Sequence, residues 1–223
     1  MTGPAYPVVL VVDDHELVRE VLVATLRAQH IDAHCCTETT VPGIVREAAA
    51  HPPGLVLLDL ELGRGPHGVP IDGVDAIAML RAAGWAVLVV SAERRLAQVA
   101  AAIAAGAIGQ VPKSASFATL FETVLRAVAG TPVMTEQERQ TWLGLDRRER
   151  AGAARRAALL ARLTARERLV LQRLAEGRRA AEIAEESVVS VTTVRSQIRA
   201  ILAKLEVSSQ LGAVALINAG SEG

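Results

Sequence analysis

Five polar side chains in the first half of the sequence each lie at the end of a short apolar segment: Asp13, Asp14, Asp59, Ser91 and Lys113. Three of them are carboxylates, which repel one another at close range unless a cation lies between them. Mg²⁺ prefers oxygen ligands and readily shares its coordination shell with phosphate. A carboxylate can attack phosphorus and form an aspartyl phosphate, and a hydroxyl and an ammonium group can then hold the phosphoryl oxygens. If these side chains meet, they form a site for Mg²⁺-dependent phosphoryl chemistry.

The elements that must position these residues are alternating strands and helices. The predicted strands are 7–12, 31–36, 54–60, 86–91 and 107–111. The predicted helices are 15–29, 40–50, 72–83, 93–105 and 115–129. Five strand–helix units of this kind favour a doubly wound parallel sheet. Ligands of such sheets bind beyond the carboxyl ends of the strands, where the five polar residues lie.

Each polar residue also has an ordinary structural interpretation. Asp14 could cap the helix that begins at residue 15, Ser91 could cap the helix that begins near Glu93, and Lys113 could lie on the surface. Their shared place at the ends of strands one, three, four and five favours a common pocket instead. Lys113 is also one of only two lysines, the other being Lys204. Because arginine is used elsewhere, a compact point charge is indicated at this position.

The second half of the sequence is helical. Residues 131–162 are rich in arginine, glutamate and alanine, with one break at Gly144, and predict a helical linker whose arginines form a solvated face. Four short helices follow, at 164–176, 180–186, 191–204 and 209–219. Four short helices in this order suit a compact DNA-binding unit.

The helix predicted at 191–204 has two different faces. Its apolar stripe consists of Val194, Ile198, Ile201, Leu202 and Leu205, and its polar face of Thr192, Arg195, Ser196 and Arg199. Ser190 is a good N-cap for it. A recognition helix has this pattern, with its apolar side on the domain and its polar side in the major groove. The pattern alone equally fits two arginines on a solvated helix, so both interpretations stay open.

Composition limits the other function classes. Of the 223 residues 51% are hydrophobic, yet no apolar run is long enough to cross a bilayer. The first residues, MTGPAYP, lack the features of a signal peptide, so we expect a cytoplasmic protein with no membrane partner. Its two adjacent cysteines, Cys35 and Cys36, make a poor disulfide and a poor metal site. Residues 1–130 carry 9 Lys and Arg against 13 Asp and Glu, whereas residues 131–223 carry 15 against 11, which indicates two domains with different partners.

The first half resembles the receiver domains of two-component response regulators over residues 7–130. The segments that carry the resemblance are VVLVVDDHELVRE, GLVLLDL, VLVVSA and GAIGQVPKSAS. It implies a five-stranded parallel sheet in the order 2-1-3-4-5 and a phosphoacceptor, Asp59, that takes its phosphoryl group from a histidine kinase. It also implies a Mg²⁺ site made of Asp13, Asp14, Asp59 and the backbone carbonyl of Glu61.

By the same resemblance, Ser91 is the switch hydroxyl and Lys113 the conserved lysine of the phosphoryl-binding pocket. Two departures bear on switching. Gln110 occupies the position, three residues before the lysine, where receivers usually carry Tyr or Phe. The segment after Asp59, LELGRGPHGVPIDG, is about six residues longer than in the family and rich in helix breakers. We interpret it as a tolerated insertion, although it borders the pocket and an effect on phosphate lifetime or kinase recognition stays open.

The second half resembles LuxR-type helix-turn-helix domains over about 163–219. The matching segments are LTARERLVLQRLAEG and AAEIAEESVVSVTTVRSQIRAILAKLEVSSQLGAV. The resemblance implies a DNA-binding surface in which Arg195, Ser196 and Arg199 face the bases, and Thr192 and Thr193 face the DNA backbone. Gln197 replaces the commoner histidine or asparagine, and Gln210 lies where the family often has arginine. These departures concern sequence preference.

Together these features predict three regions: a receiver domain over 1–130, a helical linker over 131–162, and an all-α, four-helix helix-turn-helix domain over 163–223. The predicted function is a non-enzymatic response regulator that binds double-stranded DNA as a homodimer, with phosphorylation controlling dimerisation and promoter binding. A phosphorylation-independent transcription regulator is the alternative that Gln110 leaves open.

An enzyme is the other alternative. Haloacid-dehalogenase-type phosphatases also combine an aspartate nucleophile with Ser or Thr, Lys and Mg²⁺. They expect Asp-x-Asp-Gly-Thr, whereas Glu61 stands in the second acidic position here and no Gly-Thr follows. Their nucleophile also usually follows the first strand, whereas Asp59 follows the third.

Overall fold

The computed structural model describes residues 7–64, 70–92 and 96–218 of the chain. Contacts divide the chain into two compact units, Met1–Arg147 and Arg148–Gly223. Parts of the predicted insertion, and the first residues of the helix predicted at 93–105, lie outside the described residues. Within the described ranges, no helix combines the length and apolar character needed to span a membrane.

The first unit is built on a five-stranded, all-parallel sheet. Its strands are β1 (Val8–Val12), β2 (Asp32–Cys35), β3 (Leu55–Asp59), β6 (Ala86–Ser91) and β7 (Gly109–Pro112). The strand order β2-β1-β3-β6-β7 confirms the predicted doubly wound sheet, and the numbering differs only because two short strands follow β3. Continuous apolar runs form β1, β3 and β6 because both faces of these strands are buried.

Helices cover both faces of this sheet. They are α1 (Glu16–Ala28), α2 (Val41–Ala48), α3 (Val74–Ala82), α4 (Leu96–Ala104) and α5 (Phe117–Val128). The buried side chains of α2, α3 and α4 form one core cluster with alternate strand residues. Those of α1 and α5 form a second cluster on the opposite face. The carboxyl ends of the strands, left open by the helices, hold the polar residues.

The adjacent cysteines point to opposite faces of the sheet. Cys35 packs on the α1 and α5 side, whereas Cys36 is fully buried on the other side. The thiol of Cys36 donates to a carboxylate oxygen of Glu47 at 3.2 Å. Burial, and then the nearby Glu47 carboxylate, raise the pKa of Cys36 to about 12. Both cysteines are free, as the sequence predicts.

The long segment after Asp59 contains an antiparallel pair of short strands, β4 (Glu61–Arg64) and β5 (Pro70–Asp72), where the sequence indicates only a loop. Gly73 directly follows β5 and closes this ribbon against β3. A Cβ atom on Gly73 would lie 2.6 Å from the backbone oxygen of Asp59, so only glycine fits there. The ribbon is therefore anchored next to the predicted phosphoacceptor.

Helix α6 (Glu136–Ala161) starts at a reciprocal cap, since Thr135 and Glu138 each bind the other's backbone N–H. The sequence predicts a break at Gly144, but the helix continues through it. A helical glycine costs only about 1 kcal/mol relative to alanine. The neighbouring Trp142 and Leu143 pack against the core of the first unit, and this packing stabilises the helix there.

The second unit contains the four predicted short helices. They are α7 (Ala165–Ala175), α8 (Ala180–Glu186), α9 (Val191–Lys204) and α10 (Gln210–Asn218). Their apolar faces form one core cluster. Thr164 caps α7 in a capping box with Glu167, and Ser190 caps α9 by accepting the N–H of Thr193 at 3.1 Å.

Candidate functional sites: an acidic pocket and an exposed helix face

The polar residues predicted from the strand ends meet at the carboxyl edge of the sheet. Asp13 follows β1, Asp59 and Ser91 end β3 and β6, and Lys113 follows β7. The carboxyl-terminal residues of β3, β6 and β7 pair in register, and the Lys113 N–H donates to the Ser91 backbone oxygen at 2.8 Å. The side chains of Asp13, Asp59 and Ser91 are buried. The Ser91 hydroxyl lies 3.4 Å from the Ala92 backbone oxygen, and its alternative role as a helix cap concerns residues 93–95, which lie outside the described residues.

Asp59 is held by charge and by the backbone. The Lys113 ammonium contacts one of its carboxylate oxygens, and the Glu61 N–H donates to the other at 3.0 Å. Burial raises the pKa of the Asp59 carboxyl above its ordinary value, because the loss of hydration outweighs the opposing effects of Lys113 and the Glu61 amide. Glu61 thus has a visible role through its N–H, while the role of its carbonyl in metal binding stays a prediction.

The contacts between Lys113 and Asp59 lower the pKa of Asp59 but raise the pKa of Lys113. Burial by itself would lower the pKa of its ammonium group, but the hydrogen bond to Asp59 and the charges of Asp59, Asp13 and Asp14 raise it. The Lys113 nitrogen also lies 3.8 Å from Asp13. The lysine is therefore firmly protonated and placed to balance a newly added negative charge.

The donor set fits a hard divalent cation. Ligand atoms of Asp13, Asp14, Asp59 and His15 all lie within 4.8 Å of one another. Three carboxylates supply the oxygen ligands that Mg²⁺ prefers. His15 is a member that sequence reasoning missed: its Nδ1 lies 2.7 Å from Asp14 and 3.1 Å from Asp13. Its place directly after two aspartates was the available signal.

Gln110 lies in the middle of β7, opposite Val89, and is half-buried. It occupies the position predicted to report phosphorylation in related proteins, but its side chain is an amide rather than an aromatic ring. Its part in switching stays a prediction.

Helix α9 presents a polar face to solvent. Val194, Ile198 and Ile201 are buried in the core of the second unit, which confirms the predicted apolar stripe. The predicted DNA-facing residues are all exposed: Thr192, Thr193, Arg195, Ser196 and Arg199. The Thr193 hydroxyl lies 2.8 Å from that of Ser190 and so also belongs to the helix cap.

Two glutamines on this unit depart from the family pattern. Gln197, on α9, is half-buried, and its side-chain oxygen is buried without a hydrogen-bond partner among the described residues. Gln210 is the exposed first residue of α10. Neither glutamine is a cation, so neither adds charge for a phosphate contact.

Lys204 has a structural role that sequence reasoning missed. Its ammonium group bonds both carboxylate oxygens of the buried Glu167, at 2.8 and 2.6 Å. The hydrogen bond from Lys204 is the largest of the effects that lower the pKa of Glu167, followed by the Thr164 N–H. This ion pair fixes α9 against α7.

Comparison with known proteins finds one family in the first half of the chain and another in the second half. The family model for the response regulator receiver domain matches residues 9–125, and the model for bacterial regulatory proteins of the luxR family matches residues 161–217. The transcriptional activator protein ExaE of Pseudomonas putida is 32% identical over 225 residues, covering 95% of this chain and 96% of ExaE. The transcriptional regulatory protein LiaR of Bacillus subtilis is 30% identical over 205 residues, covering 91% of this chain and 92% of LiaR.

A low-resolution structure of the response regulator StyR is 27% identical and covers 96% of this chain and 99% of its own, with a TM-score of 0.41, which is too low to support an argument. The two family models and the full-length relatives define a class, a receiver domain joined to a LuxR-type DNA-binding domain. The chain belongs to the two-component response regulators of the LuxR and NarL type. Members of this family such as ExaE and LiaR are transcriptional regulators.

Proposed function

We propose that this response regulator is phosphorylated on Asp59 by a histidine kinase, and that phosphorylation controls its dimerisation and its binding to promoter DNA in the cytoplasm. One observation carries the proposal: a buried carboxylate at a strand end contacts Lys113 and shares a cation-sized space with Asp13 and Asp14.

The reaction follows from this arrangement. A carboxylate oxygen of Asp59 attacks the phosphorus of a phosphohistidine, the O–P bond forms as the N–P bond breaks, and the imidazole leaves. Asp13, Asp14, Asp59 and the Glu61 carbonyl would hold Mg²⁺, which would neutralise charge on the phosphoryl oxygens when bound. Lys113 pairs with a phosphoryl oxygen, and the Ser91 hydroxyl donates to another.

DNA binding belongs to α9. Its buried stripe fixes the helix on the domain, and its exposed face offers Arg195 and Arg199, one turn apart, to the major groove. Thr192 and Thr193, in the first turn, lie where hydroxyls can bond phosphates.

The proposed homodimer contact is α10. Leu211 on this helix is 80% exposed, and with the exposed Ala215 and the half-buried Val214 it leaves apolar side chains of α10 facing solvent. A second copy of the same helix would cover it in a two-fold, self-complementary contact.

The test of the phosphoacceptor is covalent labelling. The protein is incubated with Mg²⁺ and acetyl phosphate, and intact-mass and peptide analysis should place a single hydroxylamine-labile phosphoryl group on Asp59. Asp75→Asn, which changes an exposed aspartate on α3, serves as the control and should label normally. Labelling that persists in Asp59→Asn would rule out Asp59 as the acceptor.

A second candidate function is regulation without phosphorylation, and Gln110 favours it, since the aromatic side chain that normally responds to the phosphoryl group is missing. In that case Asp59→Asn would leave promoter binding and dimerisation unchanged in the presence of the phosphodonor.

A further inference from the structure

We propose that the receiver domain binds a compact primary amine, with a single ring or a branched alkyl group of that size, in a cavity beside the acidic pocket. The cavity has a volume of about 210 Å³ and lies between the ends of β1, β3 and β7 and the helices α1 and α5. Its apolar wall consists of Val18, Leu22, Leu57, Ala115 and Leu120.

The volume sets the size of the occupant. An apolar cavity of about 150 Å³ in a protein interior holds benzene, so a cavity of this size accepts one ring and a short substituent. An apolar body is favoured because most of the wall is aliphatic, while the polar lining is confined to the residues of the acidic pocket.

The polar end of the cavity sets the charge of the occupant. It is lined by Asp13 and Asp59, with Lys113 and His15. Lys113 donates a hydrogen bond to Asp59 and forms only a longer ion pair, at 3.8 Å, with the Asp13 Oδ2 atom. That oxygen accepts no hydrogen bond from any described residue, whereas Asp13 Oδ1 accepts from His15. An ammonium group at the end of the apolar cavity can therefore donate a hydrogen bond to the Asp13 Oδ2 atom, whose capacity to accept one is unused among the described residues.

The amine and Mg²⁺ would compete, because both require Asp13. This arm of the inference rests on the proposed Mg²⁺ site, whereas binding in the cavity does not. An amine in this cavity would hold the receiver in a metal-free form and slow phosphorylation, which makes the domain responsive to a small molecule as well as to a kinase.

The experiment uses the full chain, with ¹³C-labelled leucine and valine methyl groups, and three probes: benzylamine, benzyl alcohol and benzoate. In buffer without divalent cations, benzylamine should shift the methyl signals of Val18, Leu22 and Leu120 saturably. It should bind about 10-fold more tightly than benzyl alcohol, because its ammonium gains a charged hydrogen bond, and benzoate should not bind. Millimolar Mg²⁺ should weaken benzylamine about 5-fold or more and leave benzyl alcohol unchanged.

Two substitutions fill the cavity from different elements, Ala115→Leu from the loop after β7 and Val18→Phe from α1. Either should abolish the shifts, and circular dichroism shows whether each variant folds. Ala118→Leu, on the exposed side of α5, is the matched control and should bind as the parent does.

Three results would overturn the proposal: no saturable shift with benzylamine, shifts that survive in a folded cavity-filling variant, or equal affinity for the amine and the alcohol. Because methyl shifts report binding without any phosphoryl transfer, this outcome is independent of whether Asp59 is the phosphoacceptor.

Discussion

The chemical role proposed for Asp59 works against the stability of the receiver. Its carboxylate is buried, and burial raises its pKa in the folded protein above the ordinary value of 3.8. A group with a raised pKa contributes stability that is fully present below its unfolded pKa and is lost as pH rises through its folded pKa. The ionised form of Asp59, which the proposed phosphorylation requires, is therefore the form that stabilises the fold least.

Asp59→Asn should accordingly increase the free energy of unfolding at neutral pH by about 1 kcal/mol, because it removes a buried charge while keeping the shape of the side chain. The increase in the free energy of unfolding is limited because Lys113 loses its ion pair with Asp59. The difference between variant and parent should shrink as pH falls below the folded pKa of Asp59, where both side chains are neutral. Urea denaturation in metal-free buffer across the acidic range measures it. A less stable variant at pH 7, or a gain of the same size in the exposed control Asp32→Asn, would contradict this account.

Arg195 and Arg199 should contribute to DNA binding in different ways. Arg195 lies nearer the N-terminus of α9, which approaches the bases most closely in helix-turn-helix proteins. Arg195→Ala should cost about 1–3 kcal/mol on the best site and relax sequence preference. Arg199→Ala should weaken specific and non-specific DNA evenly and reduce the salt dependence by about one phosphate contact.

The measurement is the affinity for a selected site and a scrambled site at several salt concentrations. Equal losses on both DNAs for both variants would mean that neither arginine reads bases. Specificity would then come from Ser196, from Thr192 or from DNA shape.

At the scale of elements, the turn between α8 and α9 stores backbone strain. Val188 adopts a φ of 53°, and its side chain is 91% exposed. The Val188 N–H donates to the Glu185 backbone oxygen, and the Val189 N–H donates to the Ala184 backbone oxygen. Val188 therefore terminates α8 in the left-handed conformation. A β-branched residue is disfavoured in this conformation, and the Val188 side chain is too exposed for packing to offset the strain.

Val188→Asn should raise the free energy of unfolding of the second unit by about 1 kcal/mol, since asparagine tolerates the left-handed region. Val188→Ile, which keeps the β-branch, is the matched control and should show no gain. Thermal or urea unfolding of the full chain, followed by a signal from the second unit, measures both. Equal stability of the asparagine and isoleucine variants would show that the turn is not strained.

At the scale of elements, the sequence best predicts the strands and helices that are determined by a local hydrophobic pattern. Continuous apolar runs predict β1, β3 and β6, which are buried on both faces. The edge strands β2 and β7 are only partly buried and follow from the alternation of strands and helices. Helical spacing predicts α9 with both of its ends. The β4–β5 ribbon, the continuity of α6 through Gly144 and the Glu167–Lys204 pair are not predicted, because each depends on a contact between residues that are distant in sequence or on packing against the core.

In the acidic pocket, too, some features follow from the local sequence pattern and others depend on the fold. Its strand-end residues are predictable because parallel strands share one carboxyl edge. The entry of His15 into the acidic cluster is only suggested by its place directly after Asp13 and Asp14, because the contacts depend on the backbone conformation before α1. The contact of the Glu61 amide with Asp59 likewise depends on the ribbon.

For the whole molecule, contacts place the division between the two units inside α6, at Arg147 and Arg148, whereas the family models match 9–125 and 161–217. The boundaries predicted from sequence, 1–130, 131–162 and 163–223, stay predictions. The acidic first region and the basic last region match the partners proposed for them, a divalent cation in one and DNA in the other.

Self-association of the whole chain should depend on α10. Leu211→Glu should reduce the dimer fraction in the presence of acetyl phosphate, and weaken binding to a two-half-site DNA more than to a single half-site, because it places a charge in a self-complementary apolar contact. Leu169→Glu, which changes a leucine on α7 that is 41% exposed, is the control and should leave association unchanged. Sedimentation with and without DNA gives the answer, and an unchanged dimer in Leu211→Glu would exclude α10 as the contact.

Because Cys35 and Cys36 face opposite sides of the sheet, their modification rates can report local opening of the receiver. Only a thiolate reacts with an alkylating reagent, and at neutral pH a thiol with a pKa of about 12 is almost entirely protonated as well as shielded. Cys36 is therefore modified only when α2 separates from the sheet. Cys35, on the other face of the edge strand, is the neighbouring residue whose modification rate serves as the reference. The ratio of the two modification rates measures how often the folded domain opens, with no substitution needed in the chain.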